Sequence, residues 1–201
     1  MFDIKTMNAI SPAGIESLTR RGCNVGPEVE NPQGLLVRSA NLHDCAFPES
    51  LLTIGRAGAG YNNIPIKDCS EQGIVVFNSP GANAEAVKEQ EICSLVMCSR
   101  DVVGSIEWVK SIADKGEQIP ELVEKGKSKF AGPELLGKTL GVIGLGAVGA
   151  LVANAAIELG MTVYGFDPFM SVDAAWRLSR EVLHAETAEQ IYENSDYISI
   201  N

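Results

Sequence analysis

The chain has 201 residues, 45% of them hydrophobic and 21% charged, with a formal net charge of −10 and a pI near 4.7. That length and balance suit one large or two small globular units with a real core, and the acidity excludes a phosphate backbone or an anionic lipid surface as the main partner. Neither nucleic acid nor membrane is therefore expected, and an anionic substrate would need a local basic site. Five cysteines, Cys23, Cys45, Cys69, Cys93 and Cys98, form no C-x-x-C pair and suggest no metal site. No signal-peptide run follows Met1, so reduced thiols acting as packing residues in a cytoplasmic protein are the expectation.

In chain order, Ile4 to Met7 is suited to a strand. Ser11-Pro12 then reads as an N-cap with proline at the first helical position, predicting a helix to Arg21 that stops at Gly22. Leu35-Leu36-Val37 is a short apolar strand ending in Arg38-Ser39, and Leu51 to Ile54 is another, ending in Gly55-Arg56. Ligands of open parallel sheets sit beyond the carboxyl ends of the strands, which makes Arg38 and Arg56 candidates for holding an anion. Asn63 is placed to cap a helix from about Pro65 to Gln72, Gly73 closes it, and Ile74 to Phe77 makes a fourth strand before Asn78-Ser79-Pro80-Gly81. Strands alternating with helices imply a parallel sheet flanked by helices.

From Asn83 the chain reads helical as far as Val109, with only Gly104 interrupting, as a connector. A polar stretch from Lys115 to Lys129 follows, and a domain boundary is expected within residues 97 to 118.

The segment KTLGVIGLGAVGALVANAAIELGMTVYGFD, Lys138 to Asp167, reads as strand, glycine turn, helix, strand. Gly144, Gly146 and Gly149 carry the G-x-G-x-x-G spacing: the first permits a tight turn, the second lets backbone approach a pyrophosphate, and the third lets the helix press on the sheet. The helix N-terminus supplies N–H groups and a positive dipole end for that anion. Asp167 closes the second strand, 18 residues after Gly149 by position, close to the spacing of roughly 20 expected of the acid that binds ribose. A carboxylate there accepts from a ribose diol and repels a 2′-phosphate, favouring NAD over NADP. A membrane span over Thr139 to Ile157 is the competing reading, and the glycines crowding Gly141 to Gly149 argue against it. A helical patch at Val172 to Arg180, a strand near Val182, a helix at Ala188 to Glu193 and an apolar strand at Tyr197 to Ile200 complete the pattern.

Two stretches, IGRAGAGYNNIPIKDCSEQGIVVFNSPGANAEAVKE (Ile54 to Glu89) and FAGPELLGKTLGVIGLGAVG (Phe130 to Gly149), closely resemble the D-isomer-specific 2-hydroxyacid dehydrogenases. The resemblance implies an α/β protein: a flavodoxin-like substrate domain over residues 1–97, a connecting helix over 98–118, and a truncated Rossmann NAD-binding domain over 119–201, its N-terminal half only. It implies that the backbone N–H groups of Ala59 and Gly60 hold the substrate carboxylate, that Arg56 and Arg38 serve a substrate phosphate, and that Ser79 touches the cofactor. It further implies that Ala147 and Val148 lie against the pyrophosphate and that the active site falls in the cleft between the domains. The complete protein is expected to be a homodimer. The sequence departs from the family pattern at Tyr61-Asn62, where Val-Asp is usual, and at Lys88, where Ala is usual.

The family's catalytic arginine, glutamate and histidine are expected beyond Asn201, so no catalytic residue is assigned within this chain; His43 and His184 read as surface or packing residues. Three functions compete. The first is NAD-dependent oxidation of 3-phospho-D-glycerate by a longer protein of which this chain is the N-terminal part. The second is a related dehydrogenase acting on glyoxylate, hydroxypyruvate or lactate, and the third a non-catalytic NAD-binding regulatory module. Against the last, Tyr197 to Ile200 would lie beside the first strand of the NAD domain as a bare apolar edge.

Overall fold

The computed structural model describes residues 1–201 and divides into two compact units, Met1–Asn83 and Ala84–Asn201. The first unit holds β1 (Asp3–Met7), α1 (Pro12–Arg20), β2 (Asn24–Gly26), β3 (Gly34–Val37), β4 (Thr53–Arg56), α2 (Ile66–Glu71) and β5 (Val75–Phe77). Its sheet is parallel throughout, in the order β2-β1-β3-β4-β5. Leu35, Val37, Leu42, Leu51, Ile54, Ile64, Cys69 and Ile74 form its core. These are apolar strand residues together with Cys69 of α2 and loop residues, the burial that offsets the entropy of ordering so small a unit.

Several local expectations are corrected here. The strand expected at Leu51 to Ile54 begins at Thr53 and runs through Arg56, so Arg56 is the last ladder residue and pairs with Val37 in register. Leu51 is buried outside the ladder. Ser11 caps α1 through its carbonyl, which accepts from the N–H groups of Gly14 and Ile15, while its hydroxyl makes no cap bond. Asn63 does not cap α2, whose N-cap is Pro65; its amide donates instead to the Ala40 carbonyl at 2.8 Å. The short edge strand β2 carries Asn24-Val25-Gly26, a composition with no strand signal of its own. Of the five cysteines only Cys69 is buried, and burial with the Asp68 carboxylate beside it pushes its thiol up. Cys45, Cys93 and Cys98 are exposed and so do not act as packing residues.

The second unit begins with α3 (Ala84–Ser99) and α4 (Val102–Ser111). The long helix expected from Asn83 is broken between these two, at Asp101 rather than at Gly104. The Asp101 carboxylate accepts from the Gly104 N–H at 2.8 Å, satisfying an orphan donor of a new helix start, which is why the chain restarts there. The polar stretch after it holds a helix the sequence reading left out, α5 (Ile119–Gly126), between two 3₁₀ turns. Pro120 sits in its first turn, and the ring of Trp108 lies 5.3 Å from that of Phe130. The rest alternates: β6 (Thr139–Ile143), α6 (Gly149–Glu158), β7 (Thr162–Phe166), α7 (Val172–Arg177), β8 (Leu183–His184), α8 (Ala188–Asn194) and β9 (Tyr197–Ile200). The sheet is parallel in the order β8-β7-β6-β9, which places β9 beside β6 as expected. Leu95 of α3 packs into the core with Leu140, Val142, Leu145, Val152, Ala153, Ala156, Met161 and Val163. No helix is long and apolar enough to cross a membrane, and the candidate span at Thr139 to Ile157 is divided between β6, the glycine turn and α6.

Asp196, at the turn into β9, accepts from the Thr139 N–H at 2.8 Å with Lys138 at 3.5 Å, joining the start of β9 to the start of β6. The backbone hydrogen bond, helped by the lysine, holds its carboxyl below the usual carboxylate range. A lowered folded value stabilises the fold above the ordinary carboxylate range, and that contribution is lost as pH falls through the lowered value. Urea melts across the acid range should show wild type more stable than Asp196→Asn at neutral pH, with the two curves meeting once pH has fallen below the lowered value. Parallel curves would contradict the assignment.

Candidate functional site

The β6–α6 turn is shaped by close approach. Gly144 has φ +85, and its N–H donates to the Phe166 carbonyl at 2.8 Å, tying the end of β6 to the end of β7. A Cβ on Gly149, the first residue of α6, would overlap the Gly144 carbonyl, so the helix can lie on the turn only because that side chain is missing. Gly146 differs: it is exposed and nothing lies within 4 Å of where its Cβ would be. Leu145 between them is buried, its N–H donating to Asp167 Oδ2 at 2.8 Å. Asp167 Oδ1 accepts from the Phe169 N–H at 2.8 Å. Each carboxylate oxygen retains a second lone pair, so Asp167 can anchor the turn and still accept from a ligand.

The structure thus brings Gly144, Gly146, Ala147, Val148, Gly149 and Asp167 to one end of the second sheet. Open backbone at Gly146, the N-terminus of α6 with no acid in its first turn, and a carboxylate at the end of the neighbouring strand together fit the diphosphate and adenosine ribose of a dinucleotide.

In the first unit, the chain leaving β4 forms a second cluster. The Arg56 guanidinium lies flat against the Gly58 backbone: a Cβ there would overlap Arg56 Nη1, and Gly58 has φ +140. Arg56 Nε is buried without a partner. Ser79 binds this turn from β5's loop, its hydroxyl accepting from the Gly58 N–H at 2.7 Å and donating to the Arg56 carbonyl at 3.3 Å, while its own N–H donates to the Gly58 carbonyl at 3.0 Å. Asn78 adds a bond from its amide to the Ala59 carbonyl at 2.7 Å. Ala59 and Gly60 are left exposed at the tip, and Arg38 is exposed one residue past the end of β3.

Arg56, Ala59, Gly60 and Ser79 are therefore contiguous, with Arg38 on the adjoining strand end. Ser79 spends its hydroxyl inside the Gly58 turn. The sequence reading missed Asn8 and Asn78, which fasten these loops; its signal for Asn8 would have been an asparagine directly after a strand, the residue that most readily takes the positive φ of 63° found there. His43 is tied to the Asn62 carbonyl at 2.9 Å, and His184 is exposed in β8.

The family described as D-isomer specific 2-hydroxyacid dehydrogenase, NAD binding domain, matches residues 95–201. D-3-phosphoglycerate dehydrogenase of Bacillus subtilis (strain 168) is 31% identical over 190 residues, which are 93% of this chain and 34% of that protein. The enzyme of the same name from Archaeoglobus fulgidus is 34% identical over 180 residues, 87% of this chain and 31% of its own length. The chain thus spans about a third of the length of these curated relatives. Among solved structures, the NAD⁺-bound 3-phosphoglycerate dehydrogenase of Entamoeba histolytica is 25% identical with a TM-score of 0.70, covering 100% of this chain and 62% of that one. A glyoxylate reductase from Paecilomyes thermophila shares the fold at a TM-score of 0.76 and 19% identity, over 100% of this chain and 64% of that one. The glycine turn with its strand-end aspartate, the parallel sheet around them and these matches agree: the chain belongs to the D-isomer-specific 2-hydroxyacid dehydrogenases, and its cofactor is NAD.

Proposed function

We propose that the chain serves the NAD-dependent oxidation of 3-phospho-D-glycerate to 3-phosphohydroxypyruvate, the entry to L-serine synthesis, as part of a homodimeric cytoplasmic dehydrogenase. The observation that carries the cofactor side is the open backbone at Gly146 facing a helix N-terminus, with Asp167 held two-handed at the end of β7. Gly144 to Gly149 would hold the diphosphate, Ala147 and Val148 lying against it, and Asp167 the ribose diol. The nicotinamide, when bound, supplies the hydride acceptor. On the substrate side, the exposed N–H groups of Ala59 and Gly60 hold the carboxylate, and Arg56 and Arg38 offer cations to the phosphate at the carboxyl ends of β4 and β3. Ser79, whose hydroxyl braces that turn, would serve the cofactor. The names of the relatives and the two arginines favour a phosphorylated substrate over glyoxylate or lactate.

Oxidation removes a hydride from C2 and a proton from its hydroxyl. Neither histidine of the chain is assigned the proton: His43 is engaged by a backbone carbonyl. The homodimer is supported by Val103, Ile106 and Val109 of α4, each more than half exposed on an apolar face, and the cytoplasm by five free thiols.

Two sets of variants test the cofactor site by calorimetric titration. Gly146→Val should keep the far-ultraviolet dichroism of the wild type and lose NAD binding, because its side chain enters open space; Gly149→Ala should lose stability, because its Cβ meets the Gly144 carbonyl. Normal NAD binding by Gly146→Val would make the turn purely structural.

Asp167→Ala should weaken NAD by about tenfold, the worth of a charge-assisted hydrogen bond near 1.4 kcal/mol, and narrow the preference over NADP by removing both acceptor and repulsion. Unchanged affinities for both would remove Asp167 from the cofactor site.

A further inference from the structure

The loop that carries Arg38 is held at a single residue from both sides. Asn8, at the carboxyl end of β1, accepts through Oδ1 from the N–H of Ala40 at 2.6 Å and from that of Ser39 at 3.3 Å. Asn63, five residues after Gly58 on the chain from β4, donates through its amide to the carbonyl of the same Ala40 at 2.8 Å. The Leu42 N–H returns a bond to the Asn63 carbonyl at 2.9 Å. Asn8 is also the only residue other than glycine with positive φ in the chain. Asparagine enters that region more readily than other non-glycine residues, and the two backbone donors received by its side chain hold it there.

The location gives the clamp its meaning. With the order β2-β1-β3-β4-β5, the chain leaves β1 toward one side of the sheet and returns as β3 on the other, so the gap between the carboxyl ends of β1 and β3 is the switch point of the topology. Asn8 bridges that gap. Asn63 then bridges from the β3 loop to the β4 loop, whose tip presents Ala59 and Gly60. A cation on one loop and a carboxylate cradle on the other are held at a fixed separation by hydrogen bonds to the N–H and the carbonyl of one residue, Ala40, between them.

We propose that Asn8 and Asn63 are positioning residues that set the length of substrate the first unit accepts, by fixing Arg38 relative to the Ala59–Gly60 cradle. This rests on the assignment of carboxylate and phosphate to those two loops. Neither asparagine touches the substrate. The clamp selects a three-carbon acid with its phosphate on the far carbon over phosphoglycolate, whose phosphate is one carbon nearer the carboxylate.

The test is a titration of the whole chain with 3-phosphoglycerate, glycerate and phosphoglycolate, for wild type, Asn8→Gly and Asn8→Asp. Glycine takes φ near +63° freely but removes the acceptor; aspartate keeps an acceptor oxygen and tolerates the conformation. Wild type should bind 3-phosphoglycerate more tightly than either competitor. Asn8→Gly should bind glycerate as wild type does, lose about tenfold against 3-phosphoglycerate, as expected when one charge-assisted contact is lost, and cease to discriminate against phosphoglycolate. Asn8→Asp should restore the discrimination. Hydrogen exchange at the Ser39 and Ala40 amides should quicken in Asn8→Gly and be slow again in Asn8→Asp. If wild type shows no gain from the phosphate, the substrate assignment fails and the inference with it. If wild type gains from the phosphate and Asn8→Gly keeps both the gain and the length preference, the substrate assignment stands and the clamp is refuted. A variant that loses glycerate binding equally would show a general loss of structure, which also refutes the length-setting role.

Discussion

The nucleotide-binding end of this molecule depends on the contact between two backbone segments with no side chain between them, Gly144 and Gly149. The helix α6 can aim its N-terminus at the end of β6 only if its first residue rests on the Gly144 carbonyl, and no residue larger than glycine fits there. The contact fixes where the N–H groups of the first turn point, and thereby where an anion can be held. Two further bonds, Gly144 N–H to Phe166 and Leu145 N–H to Asp167, fasten the turn to the end of β7. The carboxylate proposed to recognise ribose thus also braces the loop proposed to hold the diphosphate, which would couple cofactor choice to loop shape through one side chain.

The first unit solves a similar problem with other means. Its turn after β4 is stiffened by Ser79 and by the Arg56 guanidinium lying over Gly58, with Ala59 and Gly60 exposed at its tip. Asparagines 8, 63 and 78 then fasten the neighbouring loops, each through a bond to main chain. Buried or half-buried peptide groups in loops have no ladder to satisfy them, and side-chain amides, which carry both donors and an acceptor, supply the missing partners. Anion recognition by backbone N–H groups needs this rigidity, since a loop that moved would average away the direction of its dipoles.

Except for β2, the strands, the glycine turn and Asp167 were legible in the sequence because each leaves a local mark: an apolar run, a glycine spacing, an acid at a strand end. The place of Tyr197 to Ile200 beside the first strand of the second sheet was legible too, since in a doubly-wound sheet the chain crosses back over the first strand instead of adding next to β8. Errors gathered where an asparagine or aspartate had two uses. Asn63 stands where a cap would stand, yet it bonds across 23 residues of chain to Ala40. Asp101 breaks a run of apolar helical positions that periodicity alone would continue. The helix at Ile119–Gly126 was hidden in a stretch whose charges pair along its own surface, Lys125 with Glu121 among them. Long-range hydrogen bonds leave no periodic signal, so the framework of the sites was readable and their bracing was not.

The central claim is that the second unit's glycine turn and Asp167 together receive NAD. It is tested most directly by amide chemical shifts of the uniformly ¹⁵N-labelled chain as NAD is added. The account predicts saturable shifts at Gly144 to Gly149 and at Asp167 to Phe169, largest at Gly146 and Leu145, with the amides of β1 and β2 unmoved. Shifts confined to residues 1–83, or none at millimolar NAD, would contradict it.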